Sequence, residues 1–352
     1  MKIGTDKTAR LRELIDSGPQ RIVIVTHTNP DGDAIGSSLA WGELLESKGH
    51  DVTCVVPNRY PSFLEWMPGI EQLKVFKYDE DGSTARKISE AEIIFCLDFN
   101  QITRLERLSD AITANETAKI VLIDHHLNPS AGFDLIFSYP DSSSTSFLVY
   151  ELIEQLEGTT AITKKMGDNL YVGMMTDTGN FAFSNLTPEL FRAVASLVEK
   201  GVDVAAIHSC VYNSFTEDRL RLLGFAINKM ETFKAGDIGV AYIALKENEL
   251  RKFNFQPGDS EGFVNFPLTV HTLEVSASFI ETKKFIRISL RSKGDVDVSK
   301  FANKYFQGGG HKNAAGGKSF VSMAETIAHF RRSAMEYFGG DVQMQDTSSC
   351  NL

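Results

Sequence analysis

Four short apolar runs constrain this chain more than any other feature: RIVIVTH (21–27), DVTCVVP (51–57), EIIFCLD (92–98) and KIVLID (119–124). Their apolar residues are continuous rather than alternating, which describes strands covered on both faces. The stretch AIGSSLAWGELLESKG (34–49) reads as a helix between the first two. The expected fold is therefore α/β, built on a parallel sheet. In such sheets ligands gather beyond the carboxyl ends of the strands. Three of the four runs end in, or lead directly into, a group that can hold a metal: His27, Asp98 and Asp124–His125.

At 352 residues the chain exceeds the size at which single cores stop growing, roughly 250 residues, so two domains are expected. Helical patterns dominate from about 143 to 232. They include TPELFRAVASLVEKG (187–201), with Thr187 as N-cap, Pro188 at the first helical position and Gly201 as stop. Ser214 with Glu217 reads as a capping box for a further helix. The expected organisation is a catalytic domain over 1–213, a linker helix over 214–232 and a second, smaller α/β domain over 233–340. The tail, 341–352, has low hydrophobicity and no period, and is expected to be disordered. Cys54 and Cys96 sit inside apolar runs and read as buried small hydrophobes.

The formal charge of −10 excludes a protein that coats nucleic acid through bulk electrostatics, so any polyanion must be held by a local cluster or by metals. No segment approaches the run of about 18 apolar residues needed to span a membrane. The N-terminal stretch shows no secretory pattern, so a cytoplasmic protein is expected.

His27-Thr28-Asn29-Pro30-Asp31-Gly32-Asp33 leaves the first run and enters a helix, placing one imidazole and two carboxylates within seven residues. Alone, it could be a polar turn with Asp33 as N-cap. Asp98 and Asp124-His125-His126 aim more such groups at the same sheet edge, and Asp177-Thr178-Gly179 can add another carboxylate. Carboxylates crowded this way repel unless a cation neutralises them. Mixed imidazole and carboxylate donors suit manganese, with magnesium or cobalt as alternatives.

Taken in order, HTNPDGDAIGS, Asp98 of CLDFNQITR, Asp124-His125-His126 and Asp177-Thr178-Gly179 resemble the four motifs of the DHH phosphoesterase superfamily. GGGHKNAAGG (308–317) is similar to the signature of the DHH-associated C-terminal domain of RecJ exonucleases, NrnA-type oligoribonucleases and cyclic-dinucleotide phosphodiesterases. The resemblance implies two divalent cations, one held by His27, Asp31 and Asp98 and the other by Asp33, Asp98, His125 and Asp177, with Asp98 bridging. His126 would face the phosphate. A second domain across a cleft would grip substrate through Arg291, Gly308, Gly309, Gly310 and His311. Such a site activates water for in-line attack on phosphorus. The implied substrates are dinucleotides and short RNA or DNA oligonucleotides cut to mononucleotides, with adenosine 3′,5′-bisphosphate converted to AMP. Cyclic di-AMP or its linear product pApA is the alternative, and a silent nucleotide sensor the non-enzymatic one. A homodimer is among the assemblies this reading allows.

Overall fold

The computed structural model describes residues 3–105, 107–182, 185–256 and 258–339. The expected disordered tail lies outside the described residues. Contacts divide the chain into two compact units, Met1–Ser214 and Phe215–Leu352. Among the described residues no helix is long and apolar enough to cross a membrane.

Among the described residues the first unit contains six strands: β1 (Arg21–Val25), β2 (Asp51–Val56), β3 (Lys74–Val75), β4 (Ile93–Leu97), β5 (Lys119–Asp124) and β6 (Leu135–Ser138). They form one parallel sheet in the order β3-β2-β1-β4-β5-β6. The four apolar runs supply its centre, and β3 and β6 are additional short strands on its two edges. Every residue of β4 is buried, as a strand covered on both faces requires. Successive residues alternate between two apolar clusters: Ile22, Ile24, Phe95 and Ile123 join one, while Val23, Val25, Ile94 and Leu122 join the other. Cys96 lies fully buried in β4, and burial pushes the Cys54 thiol up to about 12, so neither offers a thiolate near neutral pH.

The helices that accompany this sheet are α1 (Thr5–Ile15), α2 (Gly32–Ser47), α3 (Ser83–Ser89), α4 (Arg107–Thr113), α5 (Thr145–Glu157), α6 (Lys164–Asp177), α7 (Pro188–Glu199) and α8 (Val204–Tyr212). Thr187 caps α7 by accepting from the Leu190 N–H, Pro188 opens it, and Gly201 follows its end in the left-handed region at φ 89°. Ser144 caps α5 in the same way by accepting from the Phe147 N–H.

In the second unit α9 (Glu217–Asn228) is followed by β7 (Glu231–Ala235), β8 (Ile238–Leu245), α10 (Glu247–Leu250), β9 (Val275–Glu281), β10 (Ile286–Ser292), α11 (Val298–Phe306), β11 (Gly309–His311), β12 (Ala314–Ser319) and α12 (Met323–Phe338). The strands order as β11-β12-β10-β9-β8-β7, antiparallel except between β8 and β9. The capping box at Ser214 and Glu217 is not formed. Thr216 caps α9 through the Arg219 N–H, while the Ser214 hydroxyl donates back to the Cys210 carbonyl of α8. Placing the cap two residues later lets α9 bury Leu222 and Ala226 with Ile243, Leu245 and Phe263 of its own unit.

Helices α2 and α6 cross at glycine. A Cβ on Gly36 would lie 2.3 Å from the Asn169 carbonyl oxygen, and one on Gly173 would lie 1.9 Å from Ser146 Oγ and 2.7 Å from Asp33 Oδ1. Gly36→Ala should therefore destabilise the protein by about 1–3 kcal/mol, because overpacking outweighs the gain of up to about 1 kcal/mol in helix propensity. Chemical denaturation measures this, and a stabilised Gly36→Ala would contradict so close a crossing.

Candidate metal centre

The carboxyl ends of β1, β4 and β5 bring together residues that are far apart in sequence. After β1 the chain reaches His27, whose Nδ1–H donates to the Thr28 carbonyl at 3.0 Å. That bond sets the tautomer and turns Nε2 toward Asp98 Oδ2, 3.3 Å away, with Asp31 Oδ1 at 4.0 Å. Asp31 caps α2, its Oδ1 accepting from the N–H groups of Asp33 and Ala34. Asp33, the other candidate for that cap, lies inside the first turn instead. Between them and His27, Asn29 takes a left-handed conformation, φ 58°. Asn58 holds it from the loop after β2: Oδ1 accepts from the Asn29 N–H at 2.7 Å and Nδ2 donates to Asn29 Oδ1 at 3.0 Å.

Asp98, just past β4, takes a left-handed conformation as well, φ 67°, a strain of order 1–2 kcal/mol for a residue with a Cβ. Its amide donates to the Ile123 carbonyl of β5. The side chain is almost fully buried, and its two oxygens face different histidines: Oδ2 faces His27, and Oδ1 lies 3.5 Å from His125 Nε2. His125 is oriented as His27 is, with Nδ1–H donating to the Ser142 carbonyl at 3.3 Å. Its Nε2 also lies 3.4 Å from Asp177 Oδ2 and 3.9 Å from Asp33 Oδ2. His126 differs from both. Its Nδ1 is 2.7 Å from the wholly buried Asp124 Oδ1, so a carboxylate rather than a backbone carbonyl fixes that ring.

Asp33 is also held by the start of α5: Oδ2 accepts from the Thr145 N–H at 2.7 Å and Oδ1 from the Ser146 N–H at 2.8 Å. The Thr145 hydroxyl donates to Asp98 Oδ1 at 3.0 Å. Sequence reading missed Thr145, Ser146, Ser142, Asn58 and the orienting part of Asp124. Hydroxyls, amides and backbone groups at unrelated spacings carry no motif of their own.

Among the described residues of the first unit three donor groups emerge, His27 with Asp31 and Asp98, Asp33 with His125 and Asp177, and Asp98 with Asp124 and His126, the ligand atoms of each group lying within 4.8 Å of one another. Burial raises the Asp33 carboxyl well above its ordinary value, and the charges of Asp98 and Asp177 add to the effect. Burial likewise pushes Asp177 up to about 6. Asp98 goes the other way. Burial opposes its charge, but hydrogen bonds with His125 and His27 hold it well below the usual carboxylate range. Burial disfavours charge on His125 too, yet Asp177 and Asp98 keep its ring well above the ordinary histidine value. Without a cation, the cluster retains protons where a divalent ion would neutralise it. Asp124 Oδ2 adds a buried oxygen with no hydrogen-bond partner among the described residues. These groups fit hard-to-borderline divalent cations.

In the second unit Arg291 is half-buried on β10, and its Nη1 donates to the Leu290 carbonyl at 3.0 Å. The alternation expected along this strand is present, with Ile286, Ile288 and Leu290 buried and Arg287, Ser289 and Arg291 more exposed. Gly309, Gly310 and His311 form β11, preceded by Gly308. Ala314 pairs with both His311 and Arg291, so the imidazole and the guanidinium belong to one row across the sheet.

A model of the DHH family N-terminal domain matches residues 21–174, and a DHHA1 domain model matches residues 237–338. The bifunctional oligoribonuclease and PAP phosphatase NrnA of Thermus thermophilus is 28% identical over 320 residues, 88% of this chain and 88% of that protein. The cyclic-di-AMP phosphodiesterase GdpP of Bacillus subtilis is 26% identical over 95% of this chain but 50% of its own length. The crystal structure of an exopolyphosphatase-related protein from Bacteroides fragilis is 38% identical, with a TM-score of 0.88, covering 95% of this chain and 97% of that one.

Metal binding should therefore stabilise the protein in a pH-dependent way. Asp177 is raised to about 6 in the folded state, so its contribution falls as pH rises from near 3.8 through about 6, and that of Asp33, raised as well, is lost as pH climbs through its own folded value. The contribution of His125, also raised, is present below 6.5 and lost as pH climbs through its folded value. Asp98, lowered, contributes fully above 3.8 and does not change near neutrality. The metal-free protein should thus melt lower at about pH 8 than at about pH 6. Manganese at a hundredfold over its Kd should add about 2.7 kcal/mol, about 5–10 °C in Tm. The gain should be larger at the higher pH, where fewer protons compete. Differential scanning fluorimetry with and without chelator reads it, and an unchanged Tm on adding manganese would contradict the site.

Proposed function

This chain belongs to the DHH family of phosphoesterases and carries a DHHA1 domain, and from that premise we propose that it hydrolyses very short oligonucleotides to mononucleotides and adenosine 3′,5′-bisphosphate to AMP, using two divalent cations, manganese foremost. The observation that carries the reading is Asp98, whose two oxygens address His27 on one side and His125 on the other. A carboxylate so placed suits a bridge between two ions, His27 and Asp31 completing one set and Asp33, His125 and Asp177 the other. Cations held there supply electrophilic stabilisation of the phosphoryl oxygens and acidify an attacking water.

The side chains themselves do the positioning. Thr28 and Ser142 hold the Nδ1 edges of His27 and His125, so both Nε2 atoms are presented without rotamer search. The start of α5 fixes both oxygens of Asp33 by backbone N–H groups. Asp124 holds the His126 ring, to which this reading gives contact with the scissile phosphate. No side-chain nucleophile is required. The same premise gives Arg291, Gly308, Gly309, Gly310 and His311 a role in binding the rest of the nucleotide.

The choice of substrate rests on extent of likeness. The oligoribonuclease and PAP phosphatase relatives are matched along 88–91% of their lengths, the cyclic-di-AMP phosphodiesterase along 50% of its own. A manganese-supplemented panel of pApA, cyclic di-AMP, RNA of graded length, adenosine 3′,5′-bisphosphate and pyrophosphate tests it. Dinucleotides and the bisphosphate should be turned over fastest, and preference for cyclic di-AMP would contradict the reading. Asp98→Asn should abolish turnover more completely than Asp31→Asn, since one carboxylate serves two ions and the other serves one. Near-normal activity of Asp98→Asn would sink the bridging assignment.

A further inference from the structure

One end of the second unit's sheet carries a feature that the catalytic reading does not use. Phe320, just past β12, is 68% exposed, and its ring lies 6.1 Å from that of Phe285, which precedes β10. The Lys318 ammonium sits over the Phe285 ring at 5.0 Å. The β9–β10 turn adds the exposed Lys283 and Lys284, and the end of β8 adds the exposed Lys246. Lys283, Lys284 and Lys318 make no ion pair among the described residues. Strands β12, β10, β9 and β8 are consecutive neighbours, so these groups form a strip about 14 Å wide at ordinary strand spacing.

A shallow cavity of about 390 Å³ lies on the strip, lined by Lys246, Lys283 and Arg251 among others. Its acids are already engaged: Glu247 pairs with Arg251 at 2.6 Å, and Glu281 accepts from the Glu247 N–H at 2.9 Å. In a chain of net charge −10 this is a local concentration of positive charge beside an exposed aromatic ring.

We propose that this strip is a binding site for single-stranded RNA, in which Phe320 stacks on a base and Lys246, Lys283, Lys284 and Lys318 hold the flanking phosphates. Exposed aromatics beside cations are the means by which proteins grip single strands without reading sequence. The proposal rests on the oligonucleotide reading above but concerns a separate place. Arg291 lies six positions beyond Phe285 along β10, about 20 Å on an extended strand. A dinucleotide held at Arg291 and His311 is too short to reach the strip, whereas a longer oligomer can touch both. The acidic balance excludes bulk coating but not a compact grip of this kind. An anionic lipid surface would need a broader apolar face, and here only Phe320 and Val321 project strongly.

The test uses the full chain, held in chelator so that RNA is not cut, and a single-stranded RNA of about twelve nucleotides followed by fluorescence anisotropy. Phe320→Ala should weaken binding about tenfold, the low end of what one stacked base contributes. Lys283→Glu combined with Lys284→Glu should weaken it further and flatten its salt dependence. With manganese restored, both variants should turn over pApA at the wild-type rate. Unchanged RNA affinity in both variants overturns the strip. So does equal affinity for an abasic strand of the same length, or sedimentation with phosphatidylglycerol vesicles without RNA binding. A wild-type chain that binds the RNA but leaves pApA intact would overturn the catalytic reading and leave the strip standing.

Discussion

Everything in the first unit is arranged around a repulsion. Asp33, Asp98 and Asp177 converge on one buried point at the sheet edge, where like charges cannot remain ionised together without a counter-charge. The two histidines facing them offer only a partial remedy, and the perturbed carboxyls are the remaining imbalance. Surrounding structure prevents the cluster from relaxing apart. Asp98 is pinned by a strained turn onto β5, Asp33 by the start of α5, and His27 and His125 by backbone carbonyls. A site held in tension in this way suits cations, whose binding would relieve the repulsion.

The constraint reaches into the fold. Asp177 ends α6 and Asp33 begins α2, so both arrive together only because the two helices cross closely, with Gly36 and Gly173 at the contact. Added methyl groups there would push against the Asn169 backbone or against Asp33 itself. Packing and chemistry are therefore coupled at Gly173, where the core and the site share an atom-to-atom contact.

Legibility in the sequence tracked the range of the interactions. His27, Asp98, Asp124 and His125 could be read because continuous apolar runs mark central strands, and the residues just past the end of such a run lie at the sheet edge. Asp177 was reachable through the family pattern, since it ends a helix brought in by long-range packing. Strands β3 and β6 were not legible. Lys74–Val75 is too short to show a period, and LIFS is indistinguishable from a loop with apolar residues. At α9, Ser214 and Thr216 were both competent caps, and the burial of Leu222 and Ala226, which local sequence does not contain, selected Thr216. At α2 the cap is Asp31 rather than Asp33, which is held by the backbone of α5. In the second unit the β10 alternation was plain, while the aromatic and lysine strip at the far end of that strand emerged only once β12 was laid beside it.

The central claim is that Asp98 holds two cations at once. Electron paramagnetic resonance of the manganese-loaded protein addresses it without reference to any substrate. Two manganese ions per chain with an exchange-coupled spectrum are expected, and loss of that coupling in Asp98→Asn. A single uncoupled ion in the wild-type chain, or coupling that survives Asp98→Asn, would contradict it.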